Sequence, residues 1–407
     1  MDIKFIKENT QEMKKVCENK NIDPKNIDRV LGLDEKRRKL IHQKETLRAE
    51  QNKLGKDDIA KARELKEKQK PISDELDKVE KEYEELMLSL PNVYSKDTPV
   101  GKDESFNKEV YRWGDVKKFK KSHIELGKEL DLIDFEKGVQ TSGFRGYYLK
   151  NEAVLIHFAL LWHALLKMVK KGFSPMFPPT LLREFALIGS GHFPFGREEV
   201  YKIKSEDVYL AGTSEPSLLA YFKDELFEEK DLPKKVCGFS QCYRSEVGSY
   251  GKDTKGLYRV HEFMKVEQVV LCKNSVEESN KWLEKMRGYS EEIIKELKIP
   301  YRVLQICAGD MGAGKYKMYD IEMWMPSRAG YGETHSDSNL TDWQSRRLNI
   351  KYKAGKEKKY VHALNNTVLA SPRILIALLE NYQKKDGSIG IPKVLRKYLP
   401  FKEIKRK

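Results

Sequence analysis

Cysteine is scarce. The 407-residue chain holds five, at Cys17, Cys237, Cys242, Cys272 and Cys307, odd in number and scattered. This argues against a disulfide framework and for a reduced, cytoplasmic setting. No C-x-x-C pair is followed by a second pair or by spaced histidines, so no structural zinc is expected. Long apolar runs are missing as well: nothing approaches the roughly 18 apolar residues of a membrane span. Residues 1–15 include acids and no apolar signal core, so a soluble, unprocessed chain with no membrane partner is expected. Internal repeats and low-complexity tracts are absent too.

Charge is what the chain has in excess. Its formal net charge of +14 points to an anionic partner, whether nucleic acid, an acidic membrane surface or a phosphorylated substrate. Residues 1–105 carry 24 Lys plus Arg against 24 Asp plus Glu, and residues 106–407 carry 53 against 39, so the whole excess lies in the larger part. A chain of this length has room for two or three domains.

Residues 26–89 read as a helical hairpin. Leu33, Leu40, Leu47 and Leu54 recur every seven residues; beyond Gly55 to Asp58 so do Leu65, Ile72, Val79 and Leu86, with Leu76 and Tyr83 in alternate seam positions. A seven-residue apolar repeat on consecutive helices is the pattern of an antiparallel coiled coil. The seam is thin, because Arg37, Lys44 and Gln51 fill its other positions on the first helix. Pro71 lacks a backbone donor, so a kink or break is expected near Lys70. On pattern alone the hairpin is a spacer, an oligomerisation coil or an RNA-binding arm.

Leu90 to Pro99 is turn-rich and marks a boundary, so the division expected is 1–105 and 106–407. In the second part helices are expected at about 122–137, at 151–171 up to Gly172, and at 275–298. Short apolar runs, Val208 to Leu210, Val236 to Cys242, Phe263 to Leu271 and Met318 to Trp324, alternate with turn residues and predict an antiparallel sheet. The fold class is therefore α+β: an antiparallel sheet flanked by helices, with an N-terminal antiparallel coiled-coil arm. Arg373 to Gln383 forms a last apolar-faced helix, and Lys402 to Lys407 a basic tail.

Gly309 to Lys315 fits the G-x-x-x-x-G-K part of a phosphate-binding loop. Tyr316 follows, however, where a Ser or Thr should ligate magnesium, and the segment leads into a strand where a helix should open, so no such loop is expected. Another arrangement does point to polyphosphate. Arg244 and Arg259, each among strand-forming residues, bracket a Gly-rich loop, Val247 to Gly256. Two permanent cations over one surface suit a polyphosphate, and Glu246 and Glu267 add acceptors for amines.

Together, Gly238 to Glu246 and Leu257 to Glu267 resemble motif 2 of the class II aminoacyl-tRNA synthetases, in its seryl form. Asn365 to Gln383 resembles motif 3, and Gly172 to Pro179, after its long helix, resembles motif 1, the dimer-forming helix and strand. Gly212 to Glu215 and Met325 to Arg347 are similar to stretches specific to the seryl enzymes. The resemblance spans essentially the whole chain, and it implies the activity: L-serine is activated with ATP to seryl-adenylate and pyrophosphate, then joined to the 3′ end of serine tRNA. It also implies a tRNA-binding domain at 1–105, with the hairpin as the gripping arm, a catalytic aminoacylation domain at 106–407, and a homodimer.

Carried over by position, the resemblance implies that Arg244 meets the α-phosphate and Arg373 the γ-phosphate. Phe263 stacks under adenine, Glu246 lies near its amino group, and Arg259 sits on the far side of the triphosphate. Ser245, Val260, Thr334 and His335 belong to the same ATP-binding stretches. Glu333 and Ser336 are the implied ligands of Mg2+ or Mn2+, and Arg244, Arg373 and Glu333 the implied catalytic residues. Thr213, Glu215 and Glu267 receive the serine ammonium, Thr367 with Asn365 the hydroxyl, and Ser214 belongs to the same serine-binding set. No general base is needed, since a carboxylate is already an anion at neutral pH, so His261 is read as structural. A ligase that loads a carrier protein would lack the long arm. A catalytically inactive RNA-binding relative would be expected to have lost one of the phosphate arginines.

Overall fold

The computed structural model describes residues 2–55, 58–119, 121–247 and 255–406. They form two compact units, Met1–Val93 and Tyr94–Lys407. The division expected at residue 105 thus falls inside the second unit. Ser95 N donates to Tyr316 O at 2.8 Å and Ala308 N to Pro99 O at 2.9 Å, while Lys317 is ion-paired with Asp97 at 2.5 Å. The end of the turn-rich segment is strapped to the second unit by these bonds.

In the first unit two short helices, Ile3–Glu8 and Thr10–Asn19, bury Ile6, Met13, Val16 and Cys17. The hairpin follows as α1 (Lys25–Gln51) and α2 (Ile59–Leu88); residues 56 and 57 of the expected tip lie outside the described residues. Leu40, Leu76 and Val79 are buried, with Leu33, Ile41 and Ile72 against them, so the apolar seam exists but is short. Its polar positions are paired across the hairpin. Arg37 Nε donates to Glu80 Oε1 at 3.1 Å, and its guanidinium lies 5.5 Å from the Tyr83 ring centre. Lys44 Nζ donates to Ser73 Oγ at 2.9 Å, and Gln69 Nε2 to Gln51 Oε1 at 3.1 Å. Such pairs fix the register at some cost in burial. The break expected near Lys70 does not occur: α2 runs through Pro71. Pro71 and Glu67 are both exposed, so the Glu67 carbonyl that loses its donor belongs to the solvent side of the helix and not to the seam.

In chain order the second unit lays down β1 (Lys108–Trp113), α3 (His123–Glu129), α4 (Glu152–Lys170), β2 (Ser174–Met176), α5 (Glu215–Ala220), β3 (Lys234–Tyr243), β4 (Glu262–Cys272), α6 (Val276–Leu297), β5 (Tyr301–Gln305), β6 (Lys317–Met325), β7 (Gly330–Asn339), β8 (His362–Ala370) and α7 (Ser371–Asn381). The strands form one eight-stranded sheet in the order β1-β5-β6-β7-β8-β4-β3-β2. Every pairing is antiparallel except the short edge pair β2 and β3. The α+β expectation is met. The helix expected at 122–137 is two helices, because Asp131 takes φ +54° and Asp134 caps a new helix, Phe135–Ser142, by accepting from Lys137 N. The core joins Ile156 and Leu160 of α4, Ile293 and Leu297 of α6, Val266 and Val270 of β4, and Ile374 and Leu378 of α7. By length and composition alone α4 is apolar enough to cross a membrane, contrary to the expectation that no run approaches that length. Half of it is buried inside the unit.

Two irregularities in the sheet position the site. The register shifts between Ile321 and Glu322 of β6, with Thr334 the extra residue on β7, and between Val266 and Glu267 of β4, with Val368 the extra residue on β8. Each bulge reverses which face the following side chains occupy.

Leu76→Ala is expected to cost about 2 kcal/mol, whereas Pro71→Ala in the same helix should cost nothing or stabilise, since proline in a helix interior is about 3 kcal/mol worse than alanine. Denaturant unfolding of the two full-length variants, followed by helical circular dichroism, checks the opposite signs.

Candidate active site

A pocket of about 230 Å³ lies against β4, β7 and β8. From β4 it takes Phe263, Lys265 and Glu267, three alternate residues on one face of a strand. Glu333 and Ser336 of β7 also line it, although residues three apart should face opposite ways. The bulge at Thr334 turns both inward. Across from Ser336 stands Asp320 of β6, and one of its carboxylate oxygens has no hydrogen-bond partner. Burial first, and then the charge of Glu333, holds the Asp320 carboxyl well above the usual range. On β8 the bulge at Val368 likewise brings Thr367 and Ala370 to the same pocket.

The extra residues are satisfied locally. With its proton on Nε2, His335 donates to Val368 O at 3.1 Å and its Nδ1 accepts from Thr334 Oγ1 at 2.8 Å; that hydroxyl also lies 3.1 Å from Ile321 O. His335 is buried and does not line the pocket; burial pushes its imidazole down to about 4, so it is neutral. Sequence assigned it to ATP, and the structure gives it the bulge to hold.

Two acids anchor one group of polar residues. Glu267 Oε2 lies 2.5 Å from Lys265 Nζ and accepts from Thr367 Oγ1 at 3.2 Å. Burial still raises the Glu267 carboxyl against the pull of Lys265. Glu215 Oε1 accepts from Asn365 Nδ2 at 2.7 Å and from Gln344 Nε2 at 2.6 Å. Thr213 Oγ1 accepts from Glu215 N at 3.3 Å, which fixes the start of α5. Ser214 does not line the pocket. It packs on β3, where a Cβ at Gly238 would come within 2.6 Å of its Oγ.

The arginines form the second group. Arg244 follows β3; its Nε donates to Gly212 O at 3.2 Å, and its guanidinium lies 5.3 Å from the Phe263 ring centre. His261 Nδ1 donates to Arg244 O at 2.9 Å and Arg244 N to His261 O at 2.9 Å, a reciprocal clasp on the backbone. Arg373, on α7, donates from NH1 to Glu333 O at 2.8 Å and Glu333 Oε2 at 3.1 Å, and from Nε to Tyr258 O at 3.1 Å. Glu246 and Val260 line the pocket, but Arg259 and Ser245 do not. Arg259 NH1 donates to Glu246 Oε2 at 3.1 Å, and Ser245 Oγ to Glu198 O at 2.7 Å. Residues 248–254 of the Gly-rich loop lie outside the described residues.

Sequence reasoning missed Lys265, Lys315, His192, Leu257 and Tyr258, which all line the pocket. Lys265 was legible, two residues before Glu267 on the same strand. Lys315 belongs to the rejected phosphate-loop match. That segment does run into β6 and opens no helix, yet its lysine reaches the site.

Because His335 is neutral when folded and ordinarily titrates near 6.5, its folded pKa is depressed. The stability this represents is present above 6.5 and is lost as pH falls toward 4. Between those values the wild type should lose about 3 kcal/mol more than His335→Gln, which keeps a donor for Val368 O. Denaturant midpoints at the two pH values measure the difference.

Comparison with known proteins places the whole chain. Residues 1–94 match the seryl-tRNA synthetase N-terminal domain, and residues 200–382 the class II tRNA synthetase core domain of the G, H, P, S and T type. The serine–tRNA ligase of Dictyoglomus turgidum is 43% identical, over 100% of both chains. The crystal structure of a seryl-tRNA synthetase from Pyrococcus horikoshii complexed with ATP superposes with a TM-score of 0.93 at 38% identity, covering 100% of each chain. That of a cytoplasmic serine–tRNA ligase from Naegleria fowleri in complex with AMP gives 0.88 at 32%, covering 98% of this chain and 96% of the other.

Proposed function

The chain belongs to the seryl-tRNA synthetases, and from that premise we propose how its pocket joins L-serine to ATP and how the product reaches serine tRNA. Its activity is serine–tRNA ligation: serine and ATP give seryl-adenylate and pyrophosphate, and the seryl group then passes to the tRNA 3′ end. The observation that carries the residue assignments is that Arg244 and Arg373 line the same pocket as Glu215, Glu267 and Thr367.

The serine carboxylate attacks the α-phosphorus, and extra negative charge gathers on that phosphate in the transition state. Arg244, tethered through Nε to Gly212 O, presents its remaining donors there and stabilises the transition state more than the ground state. Arg373 takes the γ-phosphate in competition with Glu333. Adenine stacks on Phe263, and Glu246 accepts from its amino group. Arg259, paired with Glu246 and outside the lining, acts by orienting that carboxylate. The ammonium of serine meets Thr213, Glu215 and the second oxygen of Glu267. Thr367 Oγ1 accepts from the serine hydroxyl, so alanine and glycine leave a buried polar group unpaired and bind poorly.

Glu333 and Ser336, with half-buried Asp320 beside them, would offer the oxygen donors that Mg2+ or Mn2+ prefers. Among the described residues no three His, Cys, Asp or Glu side chains form a metal site alone, and phosphate oxygens would complete the set. An ion bound there draws charge off the phosphates. The α4 stripe of Leu155, Phe158 and Trp162, exposed and set at helical spacing, supports a homodimer built on that face. The Met1–Val93 unit supplies the tRNA arm. Five unbridged, buried cysteines support a cytoplasmic setting.

Arg244→Ala should reduce serine-dependent pyrophosphate exchange about 100-fold or more with unfolding unchanged; exchange near wild type would remove the assignment. Replacing residues 31–86 with a tight turn between Val30 and Met87 should leave exchange within about a few-fold while tRNA charging falls by orders of magnitude, as when several phosphate contacts vanish. Parallel losses would show that the hairpin supports the catalytic unit, and two unchanged activities that it is a spacer.

A further inference from the structure

Leu257 and Tyr258 return from the Gly-rich loop and line the pocket without belonging to a strand. Their backbone is held at two points, and both lead to α7. Near the start of that helix, Arg373 Nε donates to Tyr258 O at 3.1 Å. The second point runs through a histidine far away in sequence: Leu257 N donates to His123 Nε2 at 3.1 Å. His123 is in turn fixed to Glu380, near the end of α7. Its backbone N and its Nδ1 both donate to Glu380 Oε1, at 2.9 and 2.8 Å. Ser327 adds two more bonds to the same carboxylate, N to Oε2 at 2.9 Å and Oγ to Oε1 at 2.7 Å.

Burial would raise the Glu380 carboxyl, but the bonds from His123 and Ser327 outweigh it and hold the pKa below the usual value. It is an anion, fully buried, and four donors leave it one orientation. An Nε2 that accepts from an amide carries no proton, so the proton of a neutral His123 sits on Nδ1, where Glu380 accepts it. The approach is tight. Gly256 takes φ +81°, and a Cβ there would lie 2.3 Å from His123 Nε2, so the chain passes the ring only as glycine.

We propose that His123 is a positioning residue for the nucleotide, holding the Leu257–Tyr258 backbone in register with α7 so that this wall and Arg373 meet ATP together. The proposal rests on the reading that this pocket takes ATP. A core histidine that only filled space would not present its one acceptor to a pocket-lining amide.

Substitution separates the two halves of the clamp. His123→Gln places its amide near the position of Nε2 and keeps an acceptor for Leu257 N. His123→Asn places its amide near Nδ1, keeping a donor for Glu380 but nothing for Leu257 N. In serine-dependent pyrophosphate exchange with the full chain, His123→Asn should raise the KM for ATP about ten-fold, with the KM for serine within about two-fold. His123→Gln should stay within about three-fold of wild type for both. Equal effects in the two variants, or a serine KM that rises as far as that of ATP, would overturn the assignment. Ring nitrogen NMR on the unsubstituted protein tests the clamp without any variant: the proton of His123 should be on Nδ1, and a proton on Nε2 sinks the proposal. A wild-type chain with no exchange at all would remove the ATP reading and leave the ring tautomer to decide the clamp.

Discussion

The antiparallel pairing of β4 with β8 is the constraint on which the pocket depends. It sets Glu267 opposite Thr367, residues a hundred positions apart, on a face where Lys265 already stands two residues before the acid. A carboxylate taken out of water alone would cost several kcal/mol or give up its charge. Here it has an ammonium at 2.5 Å and a hydroxyl at 3.2 Å, and burial still drives its pKa upward. The acid is therefore held short of full compensation, which favours a second cation beside it. In the proposed reading that cation is the substrate ammonium.

The two bulges explain why this pairing makes a site and not just a sheet. Strict alternation would put Glu333 and Ser336 on opposite faces, and Thr367 and Ala370 likewise. One extra residue in each strand brings both pairs into the pocket. The polar groups that the bulges release are taken up by Thr334 and His335, so part of what reads as a substrate-binding stretch is the internal repair of its own strand. Sequence pattern shows which residue types are present but not the parity of a strand with an unseen insertion. This is why the families of residues were legible while the separate places of His335, Ser214 and Ser245 were not. The same limit applies to the hairpin. Its leucine repeat was visible, but that Arg37, Lys44 and Gln51 would each find a partner across the seam, and that Pro71 would fall on the solvent side, depends on a register that pattern leaves open.

Helix α7 then ties the pocket to the rest of the unit. Arg373 and Glu380 are seven residues apart, two turns, and so share one side of the helix. Each reaches the same returning segment, Arg373 directly and Glu380 through His123. Between them, Tyr258 lies under the Arg373 guanidinium at 4.4 Å and also under that of Arg328 at 4.2 Å. A helix that grips the returning segment at two points fixes a pocket wall that no strand supports.

Charge divides the labour between the two units. Residues 94–407 carry 55 basic against 42 acidic residues, while residues 1–93 nearly balance at 22 and 21. In the hairpin even the local basic run is partly spent: Lys36 pairs with Glu75 at 2.7 Å, Arg37 with Glu80 at 3.1 Å and Lys39 with Glu35 at 2.7 Å. Exposed pairs of this kind are each worth about 0–1 kcal/mol, so a phosphate can displace the acid at little cost. In the proposed reading of the hairpin as the tRNA arm, lightly held cations on a neutral arm give weak attraction at a distance and contact only where the shape of an RNA brings its phosphates to those positions, and the long-range attraction of a polyanion is left to the second unit.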